Sequence, residues 1–378
     1  MAAASEINPI ITKLTPLADV LAMMDAQLRP VTPRALDTAA AMGRVLAADA
    51  AAAARPGAAL ALIDGWALSA DATLDAGGYA PAPLLNPPQR VEAGQFLPTG
   101  ADSVAPLDAV KVSDGRAEAL APVTPGHGVL WAGGDCDPTV PLRRTGERLR
   151  GVDIAALVSA GVMRVNVREP HVTVAGRRGD AIIGAAARLI SSDIERRGGT
   201  VRLDDTERGL GTALGSGVTD AVIAIGGTGG GRNDVSVSTL VREGQLTVHG
   251  IALTPGETAA LGFVGKCPVL LLPGRLDAAL AVWLTIGRRL LQRLAGSNIA
   301  KDHEPAERLT LSRKVVSTVG LAEVVPMRRL VDASDKVEPL ASKYLPFSAL
   351  VRADGWILVP ADSEGYSAGA QVSVSPWP

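Results

Sequence analysis

Apolar residues first recur with helical spacing after Thr15-Pro16, where Leu17, Val20, Leu21, Met24 and Leu28 fall on one face. They predict a helix capped by Thr15, with Pro16 at its first position and Pro30 and Pro33 beyond its end. A second short helix is predicted over residues 33–42, closed by Gly43. Residues 44–125 lose this spacing. Short β-like pieces around Val91, Val104 and Val110 lie among prolines and glycines, so the stretch is expected to be β-rich or irregular. Residues 126–146 read as a loop or a β-rich return, and residues 153–160 as a short helix closed by Gly161.

From about residue 170 short apolar runs alternate with helical segments. Val172 to Ala175 predicts a strand, followed by the turn Gly176-Arg177-Arg178-Gly179-Asp180 and a helix over 181–197 with Ile183, Ala186, Ala187, Ile190 and Ile194 on one face. Further strands are predicted over 200–203, 220–225 (DAVIAI) and 268–272 (PVLLL), and a long helix over 277–294. Continuous apolar strands alternating with helices argue for a mostly parallel sheet covered on both faces. After Lys301 the period drops to two, in Leu309 to Leu311, Val324-Val325, Trp356 to Val359 and Val372 to Val374, which predicts a small β domain.

Composition narrows the function classes. Hydrophobic residues make up 47% of the 378 positions and the formal net charge is −2, so neither a long disordered tail nor a generic nucleic-acid binder is expected. No uninterrupted apolar run approaches the ~18 residues of a membrane span, and the first residues lack the pattern of a secretory signal. A cytoplasmic protein is expected. With 2 cysteines, 4 histidines and no CxxC or HExxH, neither a disulfide framework nor a dedicated zinc cage is expected.

The candidate chemistry lies in turns. Gly226-Gly227-Thr228-Gly229-Gly230-Gly231 follows a buried strand, at the sheet edge where open α/β proteins bind ligands. Glycines let backbone N–H groups close on a phosphate; Thr228 adds a hydroxyl and Arg232 a charge. No lysine follows the last glycine, so this is not a Walker A loop. The alternative is a flexible surface loop. Arg177 to Asp180 also leaves a strand and opens a helix, a favourable place for an anion; Asp180 either caps that helix or holds a metal. Pro273-Gly274-Arg275 forms a third turn at the same edge, and Asp64-Gly65 places an acid in a tight turn amid apolar residues.

Taken in order, these segments resemble the MoeA/gephyrin E-domain family, the molybdopterin molybdenumtransferases. Met42 to Asp49 is similar to the family's LGRVLAED segment, and Asp64 to Ala67 to the end of SAMDGYA. Leu97 to Val104 resembles LPEGADAVV, and Arg177 to Asp180 resembles STGDE. The glycine loop through Asp234 resembles GGVSVGDYD, Leu253 to Glu257 resembles KPGKP, and Leu272 to Arg275 resembles LPGNP. Ala353 to Ile357 and Gly365 to Val374 are similar to the family's last β domain. The likeness is collinear over nearly the whole chain.

The resemblance implies a multidomain α/β architecture. An elongated N-terminal region, about residues 1–168, carries an inserted β domain at about 50–145; a three-layer α/β molybdopterin-binding domain covers about 169–298, and a small β-barrel-like domain about 305–378. It also implies a homodimer with a shared site, binding of adenylylated molybdopterin, insertion of molybdate with Mg²⁺, and release of AMP. Asp64, Asp180 and Asp234 are the implied catalytic and metal-binding acids. Gly226 to Gly231 with Arg177, Pro273, Gly274, Arg275 and Ser348 are the implied cofactor-binding set. A client molybdoenzyme is an expected partner; nucleic acid and membrane are not.

Several positions depart from the family pattern. Ala61-Leu62-Ile63, Ala181, Ile225, Thr254, Glu257, Arg275-Leu276 and Lys343-Tyr344-Leu345 replace polar, cationic or small residues. A glutamate at 257 beside a bound phosphate is expected to cost several kcal/mol, about the scale of a broken buried charge pair, unless Arg177, Arg178, Arg232 and Arg275 compensate. A molybdenumtransferase-like enzyme is therefore weighed against a catalytically impaired cofactor-binding paralogue acting as carrier or scaffold.

Overall fold

The computed structural model describes residues 10–206, 210–215, 219–231, 234–298 and 306–378. Helix α1 (Leu17–Gln27) forms where the first apolar stripe predicts it. Thr15 is not its cap. Thr15–Pro16 forms a two-residue strand beside Ile251–Ala252, which fixes the entry to the helix by backbone pairing instead. Leu17, Val20, Met24 and Leu28 are buried against the chain's own core, so the apolar face of α1 is covered within the chain.

The second predicted helix is reduced to a 3₁₀ turn at Thr38–Ala40. Residues 34–37 form strand β1 (Arg34–Asp37), which with β2 (Val45–Leu46) pairs antiparallel to β6 (Arg164–Arg168). Between them the chain is β-rich, as the Pro and Gly punctuation predicts. Strand β3 (Gly65–Leu68) lies between β4 (Gln89–Val91) and β5 (Ser103–Pro106) in an antiparallel sheet. Helix α2 (Gly151–Ser159) leads into β6.

A six-stranded sheet forms the centre. Its strands are β7 (His171–Arg177), β8 (Thr200–Thr206), β9 (Ala221–Ile225), β10 (Gln245–His249), β12 (Ala260–Val264) and β13 (Cys267–Leu272). Strand β11 (Ile251–Thr254) leaves this sheet. The order is β8-β7-β9-β13-β12-β10, with the first four parallel and the last two added antiparallel. Alternate residues of β9 enter opposite layers. Ala221, Ile223 and Ile225 join the core beneath helix α3 (Ala181–Arg196), while Val222 and Ala224 join the core under α4 (Ser236–Glu243). This two-sided burial explains why the parallel strands read as unbroken apolar runs.

The long helix predicted over 277–294 is interrupted. Helices α5 (Leu276–Val282) and α6 (Arg288–Ala295) flank a π-helical turn at Trp283–Gly287. Fully buried Trp283 donates its indole N–H to Asp193 of α3 at 2.8 Å, and Arg288 donates to the same carboxylate at 2.8 Å.

The C-terminal strands close on themselves. Strands β14 (Glu307–Leu311), β15 (Ala322–Leu330), β16 (Ala333–Pro339), β17 (Gly355–Val359) and β18 (Gln371–Pro376) run β15-β16-β14-β18-β17, and β17 pairs back to β15. A closed five-stranded barrel results, filled by residues such as Leu311, Val325, Met327 and Ile357. Strand β11 also pairs with β15, tying the barrel to the segment that follows β10. Among the described residues no helix is long and apolar enough to cross a membrane.

Candidate functional site

Parallel strands aim their carboxyl ends at one edge. There β7 ends at Arg177, β9 at Ile225 and β13 at Leu272, and the turns that leave them border a cleft of about 610 Å³. All three predicted turns reach it.

The glycine loop is shaped rather than loose. Gly226 and Gly227 adopt φ of +92° and +73°, in the left-handed region. A Cβ on Gly227 would lie 2.5 Å from the Ser236 hydroxyl oxygen. That hydroxyl donates to the Gly226 carbonyl at 2.8 Å, and the Ser236 N–H donates to the Gly227 carbonyl at 3.1 Å. Thr228 is buried, its hydroxyl 2.9 Å from that of Thr258, and its carbonyl lies 3.0 Å from His249 Nε2. Gly229 borders the cleft, whereas exposed Gly230 and Gly231 lie outside its lining. Asp234 borders the cleft and folds the loop back, its Oδ2 accepting the Gly231 N–H at 2.8 Å. Arg232 lies outside the described residues.

The second turn joins a cation to a helix start. Asp180 caps α3, with Oδ1 accepting the Ile182 and Ile183 N–H groups at 2.9 and 3.1 Å. It also borders the cleft, so capping does not remove it from the site. Arg177 borders the cleft and makes no ion pair with the described residues; Arg178 is outside the lining. The Arg177 guanidinium favours an anion, whereas the start of α3 is already satisfied by the Asp180 carboxylate.

The third turn differs from expectation. Pro273, Gly274 and Arg275 all border the cleft, but Arg275 is engaged by Asp277, with Nε–Oδ1 at 3.1 Å and Nη2–Oδ2 at 2.6 Å. Those hydrogen bonds raise its basicity first, and the charge of Glu257 adds to the effect. Glu257 lies outside the cleft lining, accepts the Gly256 N–H at 3.1 Å and faces the field of Arg275. Thr254 is buried, and the residue that reaches the cleft from this segment is Thr258.

Two predicted residues stand elsewhere in the chain. Asp64 is exposed beside β3, where its Oδ1 accepts the Ala93 N–H at 2.8 Å. Ser348 is exposed in the short helix Phe347–Leu350, outside the cleft lining. Among the described residues no group of three or more His, Cys, Asp or Glu side chains is placed to hold a metal. Asp64, Asp180 and Asp234 therefore do not converge within one chain. Ser236 and Thr258 line the cleft without having been predicted. Ser236 could have been found as the hydroxyl residue two positions beyond Asp234, opening a helix; Thr258 gave no signal apart from following the Thr254 to Glu257 segment.

These features define a class: a multidomain α/β protein with a glycine-lined cleft at the carboxyl edge of its central sheet, a β-rich extension before it and a closed barrel after it. Family models narrow this further. "MoeA N-terminal region (domain I and II)" matches residues 15–161, "Probable molybdopterin binding domain" matches 181–293, and "MoeA C-terminal region (domain IV)" matches 308–377. The chain belongs to the MoeA family. It is 27% identical over 318 residues to molybdopterin molybdenumtransferase 1 of Mycobacterium tuberculosis, covering 76% of this chain and 73% of that one. It is 23% identical over 311 residues to the molybdopterin molybdenumtransferase of Haemophilus influenzae, covering 76% of each. The fold is similar to a molybdopterin biosynthesis MoeA protein from Pyrococcus horikoshii, with a TM-score of 0.76 and 24% identity over 97% of this chain and all of that one.

Proposed function

We propose that the protein acts in molybdenum-cofactor biosynthesis, binding adenylylated molybdopterin in the cleft and serving the insertion of molybdate. The observation that carries this reading is the convergence on one edge of a shaped glycine loop and Arg177, which makes no ion pair among the described residues. Backbone N–H groups of the glycine loop would donate to phosphate oxygens, with Arg177 neutralising their charge; the Ile182 and Ile183 N–H groups at the start of α3 are already taken by Asp180. Thr228 and Thr258 form a hydroxyl pair at the cleft wall that orients the loop.

Mg²⁺ is suited to this donor set, because it is commonly held by one or two carboxylates together with substrate phosphates and water. Asp180 and Asp234 both border the cleft and would hold it there. When bound, the ion would offset phosphate charge as AMP departs. In this reading the working unit is a cytoplasmic homodimer in which the Asp64 face of one copy meets the cleft of the other, and the product passes to a client molybdoenzyme.

Titration calorimetry with AMP tests the reading, since AMP carries the phosphate that the cleft would hold. Binding that tightens at least severalfold with Mg²⁺ supports it. No binding with or without Mg²⁺ overturns it.

A further inference from the structure

The rim of the cleft carries a pair that phosphate binding does not require. The guanidinium carbon of Arg275 lies 5.0 Å from the centroid of the Tyr344 ring. Arg275 borders the cleft; Tyr344, from the loop after β16 of the barrel segment, stands outside the cleft lining and meets the rim through Arg275. The pair is fixed from both sides. Asp277 is 3% exposed; its Oδ2 accepts from Arg275 at 2.6 Å and also from the Leu345 N–H at 3.1 Å. On the other flank Lys343 has a left-handed φ of +61° and donates its N–H to Glu323 Oε1 at 2.8 Å. Glu323 is fully buried, and its second oxygen accepts the Ser317 hydroxyl at 2.6 Å. Two buried carboxylates thus anchor the backbone on either side of Tyr344, yet the residue remains 58% exposed.

A large ring held in place and left open is suited to a planar partner. Its orientation is already fixed, so binding costs little side-chain entropy. Aromatic and guanidinium planes both stack on heteroaromatic rings. We infer that Tyr344 and Arg275 form a stacking platform for the nitrogen heteroaromatic ring of the ligand whose phosphate enters the cleft, and that they set the preference for that ring. The inference rests on the phosphate-site reading above. A purine and a pterin share the relevant chemistry, and both are covered by the test.

The test titrates the full chain, as wild type, Tyr344→Leu and Tyr344→Phe, with AMP, neopterin monophosphate and ribose 5-phosphate. Tyr344→Leu is expected to weaken at least one ring-bearing probe by about 5- to 150-fold, the range for losing one base–aromatic stack. Tyr344→Phe, which keeps the ring, and ribose 5-phosphate, which has none, are expected to stay within about twofold, below the stacking range. A loss confined to AMP assigns the platform to a purine; one confined to neopterin monophosphate assigns it to a pterin. Equal losses for all three probes, or no loss for any, overturn the platform and leave Tyr344 as a structural staple. If wild type binds none of the three, the phosphate-site reading fails and the platform with it. If wild type binds ribose 5-phosphate and the ring-bearing probes gain nothing from Tyr344, only the platform fails.

Discussion

Replacing Gly227 with alanine tests whether the glycine loop is a built cradle or only a flexible turn. Gly227 sits at φ +73°, and its added Cβ would lie 2.5 Å from the Ser236 hydroxyl oxygen and 3.1 Å from the Ser236 amide nitrogen. A left-handed alanine costs roughly 1–2 kcal/mol. Displacing the Ser236 hydroxyl removes its bond to the Gly226 carbonyl, about another 1 kcal/mol. Together these come to about 2–3 kcal/mol against the loop conformation that faces the cleft, equivalent to about a 30- to 150-fold loss of affinity. Gly230→Ala is the matched control, because its Cβ meets nothing within 4 Å and its φ is not left-handed. Calorimetric titration of both variants with AMP reads the difference. Gly227→Ala should bind at least about 30-fold more weakly than wild type, and Gly230→Ala within about twofold. Equal affinity in Gly227→Ala and wild type, or equal loss in both variants, would refute the cradle.

Asp180 carries two roles that substitutions separate. Asp180→Ala should lose the helix cap and about 1 kcal/mol of stability by urea unfolding. Asp180→Asn should keep that stability while losing the Mg²⁺-dependent gain in AMP affinity; retention of the gain would restrict Asp180 to capping. Arg177→Ala should weaken AMP binding and flatten its dependence on salt, since an exposed cation acts through a screened field; an unchanged salt slope in the titration would place the phosphate elsewhere. Asp193 is buried and shared by Trp283, Arg197 and Arg288. Asp193→Ala should therefore cost about 3–5 kcal/mol by urea unfolding, the scale of a broken buried ion pair. Burial pushes the Asp193 carboxyl up, but Arg288, Arg197 and Trp283 outweigh it and hold it below its ordinary 3.8. Its contribution is then complete above about pH 4 and lost as pH falls through the lower folded-state value. Acid unfolding curves should be shallower below pH 4 in Asp193→Ala than in wild type, and identical slopes would contradict the assignment.

The part of the fold that positions the cleft was legible because it is local. The apolar runs of β9 and β13, the stripe of α3 and the glycine turns after them each carry their own signal. Pairings across long separations carried none. Arg34–Asp37 reads as the start of a helix, yet it pairs with Arg164–Val167, more than a hundred positions away, and that ladder decides its state. The break between α5 and α6 was hidden for another reason. Gly287 looks like a tolerated helical glycine, but it accommodates the Trp283 ring, whose nearest atom would lie 2.1 Å from a Cβ there. At the site, Asp277 stands two residues beyond Arg275 and could have been read as its partner. The contact with Tyr344 could not, because it depends on where the barrel docks. The positions of Asp64 and Ser348 show the same limit: motif order does not encode the distance between segments.

The most direct test of the account is restoration of molybdoenzyme activity in cells lacking their own molybdenumtransferase. Expression of this chain should restore activity, and Gly227→Ala, accumulating to the same soluble level, should fail to do so. Absence of restoration by the wild-type chain, or equal restoration by Gly227→Ala, would contradict the claim that this cleft serves molybdenum insertion.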